Sequence, residues 1–242
     1  MIADPPLLTV RRRFPRPSRA SLRALAKAQT GHIVDAMNGR GALDFTVKPI
    51  DPKRSRFIGT ALTCETGPSD NLAIFGALTL AAAGDVIVAA ADGFTGTAVI
   101  GDNLAMMARN RGVVALVTDG MARDTTGIVK AALPVFARGV TPNSCVRNGP
   151  GRIGLPIVCG GVAVESGDAI VGDEDGVVVV PRALIESVTH RLAGVIKAEN
   201  ALQAQIANGL GVLDSVDDLM RSERVHYLEE ERARRRNQAS SR

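Results

Sequence analysis

Apolar positions along this chain recur with a few distinct periods, and those periods predict its elements. Over residues 21–37, Leu22, Leu25, Ala26, Ile33, Val34 and Met37 follow helical spacing, and Asn38-Gly39-Arg40-Gly41 ends the run. Residues 57–64 read as a strand. Asp70 can cap an Ala/Leu-rich helix over 71–83, which Gly84 stops. Residues 85–90 are continuously apolar after Asp85, the pattern of a strand covered on both faces. A helix over 102–110 ends at Gly112, and a second buried-type strand over 113–118 leads into the turn Asp119-Gly120. The later half changes character. Short strands over 134–138, 157–164, 169–171 and 177–180, separated by Gly, Pro and Asp turns, predict antiparallel pairing. Two helices, over 182–208 and about 216–236, flank Gly209-Leu210-Gly211. The sum is an α/β chain: a layered mixed sheet with flanking helices and a C-terminal helical extension.

Composition narrows the picture. With 242 residues, 45% apolar and 22% charged, the chain suits one large domain with extensions and excludes a disordered or fibrous body. Aromatics are only 3%, so the core must be packed from Ala, Val, Ile, Leu and Gly, and stacking platforms for nucleic-acid bases are scarce. The formal charge of +4 sits in the tails: residues 1–23 carry six Arg against one Asp, and residues 221–242 seven Arg against four Glu. The body is then net acidic, which argues against a nucleic-acid groove. We expect a basic, Pro-containing peripheral arm over 1–20, a folded α/β domain over 21–215, and a helix with a basic tail over 216–242. Cys64, Cys145 and Cys159 share no framework or zinc spacing, which fits a reducing cytoplasm. No signal-peptide run and no apolar stretch of spanning length stands out, so no membrane association is expected.

Candidate chemistry gathers at one sheet edge. If strands 85–90 and 113–118 are parallel neighbours joined by the helix 102–110, their C-terminal ends and the helix start lie on one side, where open α/β sheets bind ligands. The residues delivered there are Gly101-Asp102-Asn103-Leu104 and Gly120-Met121-Ala122-Arg123-Asp124. Unpaired amides of Asn103 and Leu104 could receive a carboxylate. Arg123 offers a planar cation for an anionic oxygen, and Asp124 a hard oxygen ligand for Mg²⁺ or Mn²⁺. Two plainer readings stand beside this: Asp102 as a helix N-cap, and an Arg-Asp pair on an ordinary surface. Glu199 falls near the centre of the apolar stripe of the long C-terminal helix, so it is solvated, paired, or facing something that attracts negative charge.

Other signals carry less. Gly149-Pro150-Gly151-Arg152-Ile153-Gly154 satisfies G-x-G-x-x-G but precedes a strand, and reads as a loop. Asp173-Glu174-Asp175-Gly176 reads as a hairpin turn. His32, His190 and His226 share no ligand spacing, and Cys145 and Cys159 read as packing residues.

The segments Gly101–Ala105, Val117–Asp124, Pro134–Gly139, Val158–Gly161 and Gly172–Pro181 resemble the family shared by 4-hydroxy-4-methyl-2-oxoglutarate/4-carboxy-4-hydroxy-2-oxoadipate aldolases and the regulator of ribonuclease activity A (RraA-like). The likeness spans about residues 21–215. It implies a swivelling β/β/α fold, a homotrimer or hexamer, and an active site between subunits. It further implies Mg²⁺ or Mn²⁺ on Asp124, a small 2-keto acid contacted by Arg123 and by the backbone of Gly101, Asp102, Asn103 and Leu104, and Glu199 supplied by the neighbouring chain. The implied activity is that of a class II lyase: retro-aldol cleavage of a 4-hydroxy-2-oxo acid to pyruvate, with oxaloacetate decarboxylation. A metal-bound water held by Asp102 or Glu199 is the candidate base. One departure stands out: Gly127 occupies a position where aldolases of the family carry an acid. The alternative is a non-catalytic RraA-like trimer that binds protein. A methyltransferase reading lacks the glycine-rich loop such a cofactor needs.

Overall fold

The structure is a computed structural model that describes residues 4–228. The chain runs through β1 (Leu8–Val10), α1 (Arg19–Leu25), α2 (Thr30–Ala36), β2 (Lys48–Pro49), β3 (Phe57–Thr66), α3 (Leu72–Leu80), β4 (Asp85–Ala90), β5 (Ala98–Ile100) and α4 (Asp102–Asn110). It continues through β6 (Ala115–Thr118), β7 (Met121–Ala122), α5 (Thr125–Ala131), β8 (Val135–Ala137), β9 (Gly139–Val140), β10 (Gly151–Ile153), β11 (Ile157–Cys159) and β12 (Val162–Val164). The hairpin β13 (Ala169–Asp173) and β14 (Gly176–Val180) leads to α6 (Ile185–Ala207) and α7 (Asp214–Met220). It divides into two compact units, Met1–Ile196 and Lys197–Arg242.

In the first unit β3, β4, β6 and β8 lie side by side in parallel. Antiparallel strands extend this sheet at both ends, with β13 and β10 sharing one edge of β3 and β2 pairing with β8, so the sheet is mixed as expected. Alternate residues of β4 point to opposite faces, and both are covered. Ile87 and Ala89 pack with Ala77 of α3, Leu104 and Ala108 of α4 and Ile128 of α5. Val86, Val88 and Ala90 pack with Val117, Phe136, Ile157 and Val179. This double cover is why residues 85–90 read as an unbroken apolar run. A third cluster joins Leu25, Ile33 and Ala36 to Val178, Val180, Ile185, Val188 and Leu192.

Several expectations need correction. The helix predicted over 21–37 is two helices, because the Thr30 amide and hydroxyl both donate to buried Asp173, 2.7 Å each, and start α2 afresh. Strand 134–138 pairs in parallel with β6 on one edge and antiparallel, as expected, only with the two-residue β2 on the other. The stretch 157–164 is a hairpin that turns at Gly160-Gly161, both at positive φ. The glycine-rich loop contributes Gly151–Ile153 to the main sheet. The N-terminal arm is tied down: β1 pairs with β10, and Arg16 pairs with Asp85, whose side chain is 1% exposed. In the second unit α7 buries no residue and stops at Met220, since a short helix without a packed face has only weak propensity to hold it. The predicted continuation over 229–236 lies outside the described residues. Among the described residues no helix is long and apolar enough to cross a membrane.

Candidate functional site

The chain that leaves each of β4, β6 and β8 at its C-terminal end makes a further short strand, and these three, β5, β7 and β9, pair in parallel as a small second sheet. Ala98 is opposite Met121 and Ile100 opposite Ala122. The Arg123 amide extends this ladder by donating to the Ile100 carbonyl at 2.9 Å. The residues that follow β5 and β7, Gly101 and Arg123-Asp124, are therefore neighbours. A Cβ on Gly101 would stand 3.1 Å from Asp124 Oδ2 and 3.5 Å from Arg123 Nε, so a side chain there would crowd the pair.

Arg123 Nε lies 3.2 Å from Asp124 Oδ2, with 39% and 45% of the two side chains exposed. A pair this exposed stabilises the fold by at most about 1 kcal/mol, and its arrangement is set by the backbone. Arg123 Nη1 also donates to Ser144 Oγ. Asp124 adopts the left-handed conformation, φ 58, that turns the chain from β7 into α5, and its side chain caps no helix amide. Gly101, extended, is the N-cap of α4, so Asp102 is the first helical residue rather than the cap. Asp102 Oδ1 accepts from the Asn103 amide at 2.6 Å, which corrects the expectation of a free donor there. Leu104 is buried, and the start of α4 packs beside α5.

These groups line one cleft of about 80 Å³, room for two or three waters at about 30 Å³ each. Arg123, Asp102 and Asp124 stand on its wall. A larger hollow, about 810 Å³, runs along β1, β10 and β11, but its charged side chains include the exposed Glu65–Arg152 pair, and size alone gives it no chemistry. Sequence reasoning missed six members of the small cleft, Asn71, Phe75, Ala98, Val99, Ser144 and Arg147, and set aside a seventh, Cys145. Ser144 arrives through a parallel bridge with Ala98. Arg147 stacks over the Phe75 ring, 4.4 Å from its centroid. Burial pushes the Cys145 thiol above its ordinary range, against the pull of Arg123 and Arg147. Glu199 belongs to the second unit, half-buried on α6, where its Oε1 accepts from Gln203 Nε2 at 3.1 Å.

The donor set suits a hard cation. Among the described residues no three His, Cys, Asp or Glu side chains come together. A closed tetrahedral site is therefore not built, whereas Mg²⁺ or Mn²⁺ takes one or two carboxylates and keeps water elsewhere. Asp124, exposed, free of capping duty and paired with Arg123, could hold such an ion, with Asp102 on the adjoining helix start.

Comparison with known proteins gives a consistent result. The family described as RraA-like, Aldolase/RraA, matches residues 30–179. A protein of Halalkalibacterium halodurans, provisionally named 4-hydroxy-4-methyl-2-oxoglutarate aldolase, is 39% identical over 159 residues, 66% of this chain and 75% of that one. The structure of an uncharacterized protein from Pseudomonas syringae pv. tomato superposes with a TM-score of 0.70 at 26% identity, covering 81% of this chain and 96% of the other. The structure of the RNA-processing inhibitor RraA from Thermus thermophilus superposes with a TM-score of 0.59 at 29% identity, covering 64% and 93%.

Proposed function

Because the chain belongs to the RraA-like family, Aldolase/RraA, we propose that it is a divalent-metal-dependent lyase that cleaves a 4-hydroxy-2-oxo acid to pyruvate and also decarboxylates oxaloacetate. The coarser part, an aldolase-type function, rests on the names of its relatives. The observation that carries the finer part is the Arg123-Asp124 pair set against Gly101–Leu104 in one small cleft.

Asp124 would hold a Mg²⁺ or Mn²⁺ ion, which would supply positive charge for polarising the 2-oxo oxygen. The chain's own groups do the rest. Backbone amides at the start of α4, other than that of Asn103, which Asp102 already engages, bind the adjacent carboxylate. As the C3–C4 bond breaks, its electron pair passes to C3 and onto the 2-oxo oxygen as an enolate, and the Arg123 guanidinium stabilises that charge. The C4 hydroxyl gives up its proton as C4 becomes a ketone, and the Asp102 carboxylate is the acceptor, directly or through one water. C3 is then protonated to release pyruvate. With oxaloacetate, CO₂ leaves and the same enolate forms. The residues lining the cleft include no lysine, so a Schiff base has no partner in it. In the assembled homotrimer or hexamer of this proposal, Glu199 of a neighbouring chain adds a further carboxylate.

Pyruvate release from 4-hydroxy-4-methyl-2-oxoglutarate and from oxaloacetate, measured with Mg²⁺ and with EDTA, tests the reading. We expect turnover of both with metal and its loss with chelator; equal, negligible rates in both conditions overturn it. A second reading, a non-catalytic regulator, is favoured by the likeness to the RNA-processing inhibitor. It predicts that Asp124→Ala leaves the protein's cellular effect intact.

A further inference from the structure

Asn71 opens α3 and is 9% exposed. Its Nδ2 donates to the Val99 carbonyl at 3.2 Å, and its main-chain amide to the Val146 carbonyl at 3.0 Å. The first bond settles the orientation of the amide group, because a flip would set two oxygens against each other. Oδ1 is then a buried acceptor without a partner among the described residues. Such atoms are rare in native proteins and ask for an explanation. Asn71 lines the same cleft as Arg123 and Asp124.

Phe75 follows Asn71 by four residues and so lies on the same side of α3. Its ring carries the Arg147 guanidinium. Stacking occupies the face of that cation and leaves its N–H edges for an anion. Arg123, by contrast, is engaged with Asp124 and Ser144. A neutral acceptor beside an available cation suits a ligand that carries a hydroxyl next to a carboxylate. An ammonium donor would be repelled by Arg147.

We propose that Asn71 and Arg147 form a second ligand subsite of this cleft, selective for an α-hydroxy carboxylate: Asn71 Oδ1 accepts from the ligand hydroxyl and Arg147 binds the carboxylate. The proposal deepens the lyase reading and rests on it for the placing of the hydroxyl at C4 of a 2-oxo acid. A neutral amide takes no proton, so Asn71 selects and orients the hydroxyl and leaves deprotonation to Asp102.

The test is calorimetric, on the full chain, with citramalate and its hydroxyl-free analogue methylsuccinate as probes. The wild type should bind citramalate about tenfold more tightly, the scale of one net hydrogen bond. Asn71→Leu should abolish that preference while methylsuccinate binding changes little. Arg147→Met, at an exposed position where folding is not at stake, should weaken both probes and keep the preference. Equal affinities in the wild type, or no binding of either probe, overturn the proposal, as does an Asn71→Leu variant that weakens both equally. Should Asn71→Leu not fold, the wild-type ratio and Arg147→Met still decide. Pyruvate release is measured separately: hydroxyl preference without turnover keeps this inference and removes the lyase, and turnover without preference does the reverse.

Discussion

The carboxylate of Asp102 occupies the space that a side chain at Gly127 would need: a Cβ there would stand 2.3 Å from Asp102 Oδ2, 2.5 Å from its Cβ and 2.8 Å from its Cγ. The missing acid at position 127 is thus coupled to the acid that is present at 102. Ala in place of a helical Gly ordinarily stabilises by about 1 kcal/mol, but Gly127→Ala should forfeit that gain and displace Asp102, lowering pyruvate release by on the order of 10²-fold. In an Asp102→Gly background the same change should recover its stabilisation. A double-mutant cycle read by urea unfolding and by rate checks this; additive effects would refute the coupling.

Arg123→Lys keeps the charge but loses the planar fork that reaches both Asp124 and Ser144. We expect kcat/KM for oxaloacetate to fall by on the order of 10²-fold, as for removal of one transition-state donor, with the unfolding midpoint unchanged. Steady-state kinetics and a melting curve separate the two quantities.

Arg16 and Arg152 make a contrast in stability. Asp85, the partner of Arg16, is buried, whereas Glu65, the partner of Arg152, is 44% exposed. Removing Arg16 strands a buried charge, so Arg16→Ala should cost about 2–4 kcal/mol, and Arg152→Ala less than about 1 kcal/mol. Equal costs in urea unfolding would contradict the structure.

Burial holds the Asp168 carboxyl above its ordinary value of 3.8, although the amides of Glu165 and Arg182 pull the other way. An acid that binds its proton more tightly when folded contributes stability that is fully present below the unfolded value and is lost as pH rises through the folded one. The stability of the wild type relative to Asp168→Asn should therefore decline as pH rises from below 3.8 through the raised folded value. Unfolding at a series of pH values reads the slope directly; a rising difference would be the wrong sign.

Thiol chemistry reports on the cleft. Burial pushes Cys64 and Cys159 far above the ordinary thiol range, while Cys145, half-buried, is raised less. Iodoacetamide should label Cys145 first, slowly at neutral pH and faster as pH rises, and pyruvate with Mg²⁺ should slow it. Peptide mass spectrometry identifies the labelled position.

Much of this was legible without coordinates. Residues 85–90 and 102–110 were read to the residue because each is punctuated locally, by Gly84 and by Gly101 and Gly112, and because a doubly covered strand must be continuously apolar. Arg123, Asp124 and Gly101 could be assigned to one edge from parallel topology alone. The two-residue strand β7 and the three-residue β5 are too short to show any period, and they set Gly101 against Arg123. Asn71, Ser144 and Arg147 carry no motif; they reach the cleft through the bridge of Ser144 to Ala98 and the bond of Asn71 to Val146.

What the amino-acid order determined by itself was the inventory of elements, the apolar faces and the edge where charged groups collect, since these follow from spacing between near neighbours and from local turn chemistry. Which carboxylate lies over Gly127, which acceptor is left buried at Asn71, and how Arg123 meets Ser144 were decided only when distant loops came into register. Those contacts depend on tenths of an ångström between groups far apart in the chain, and no periodicity encodes such distances.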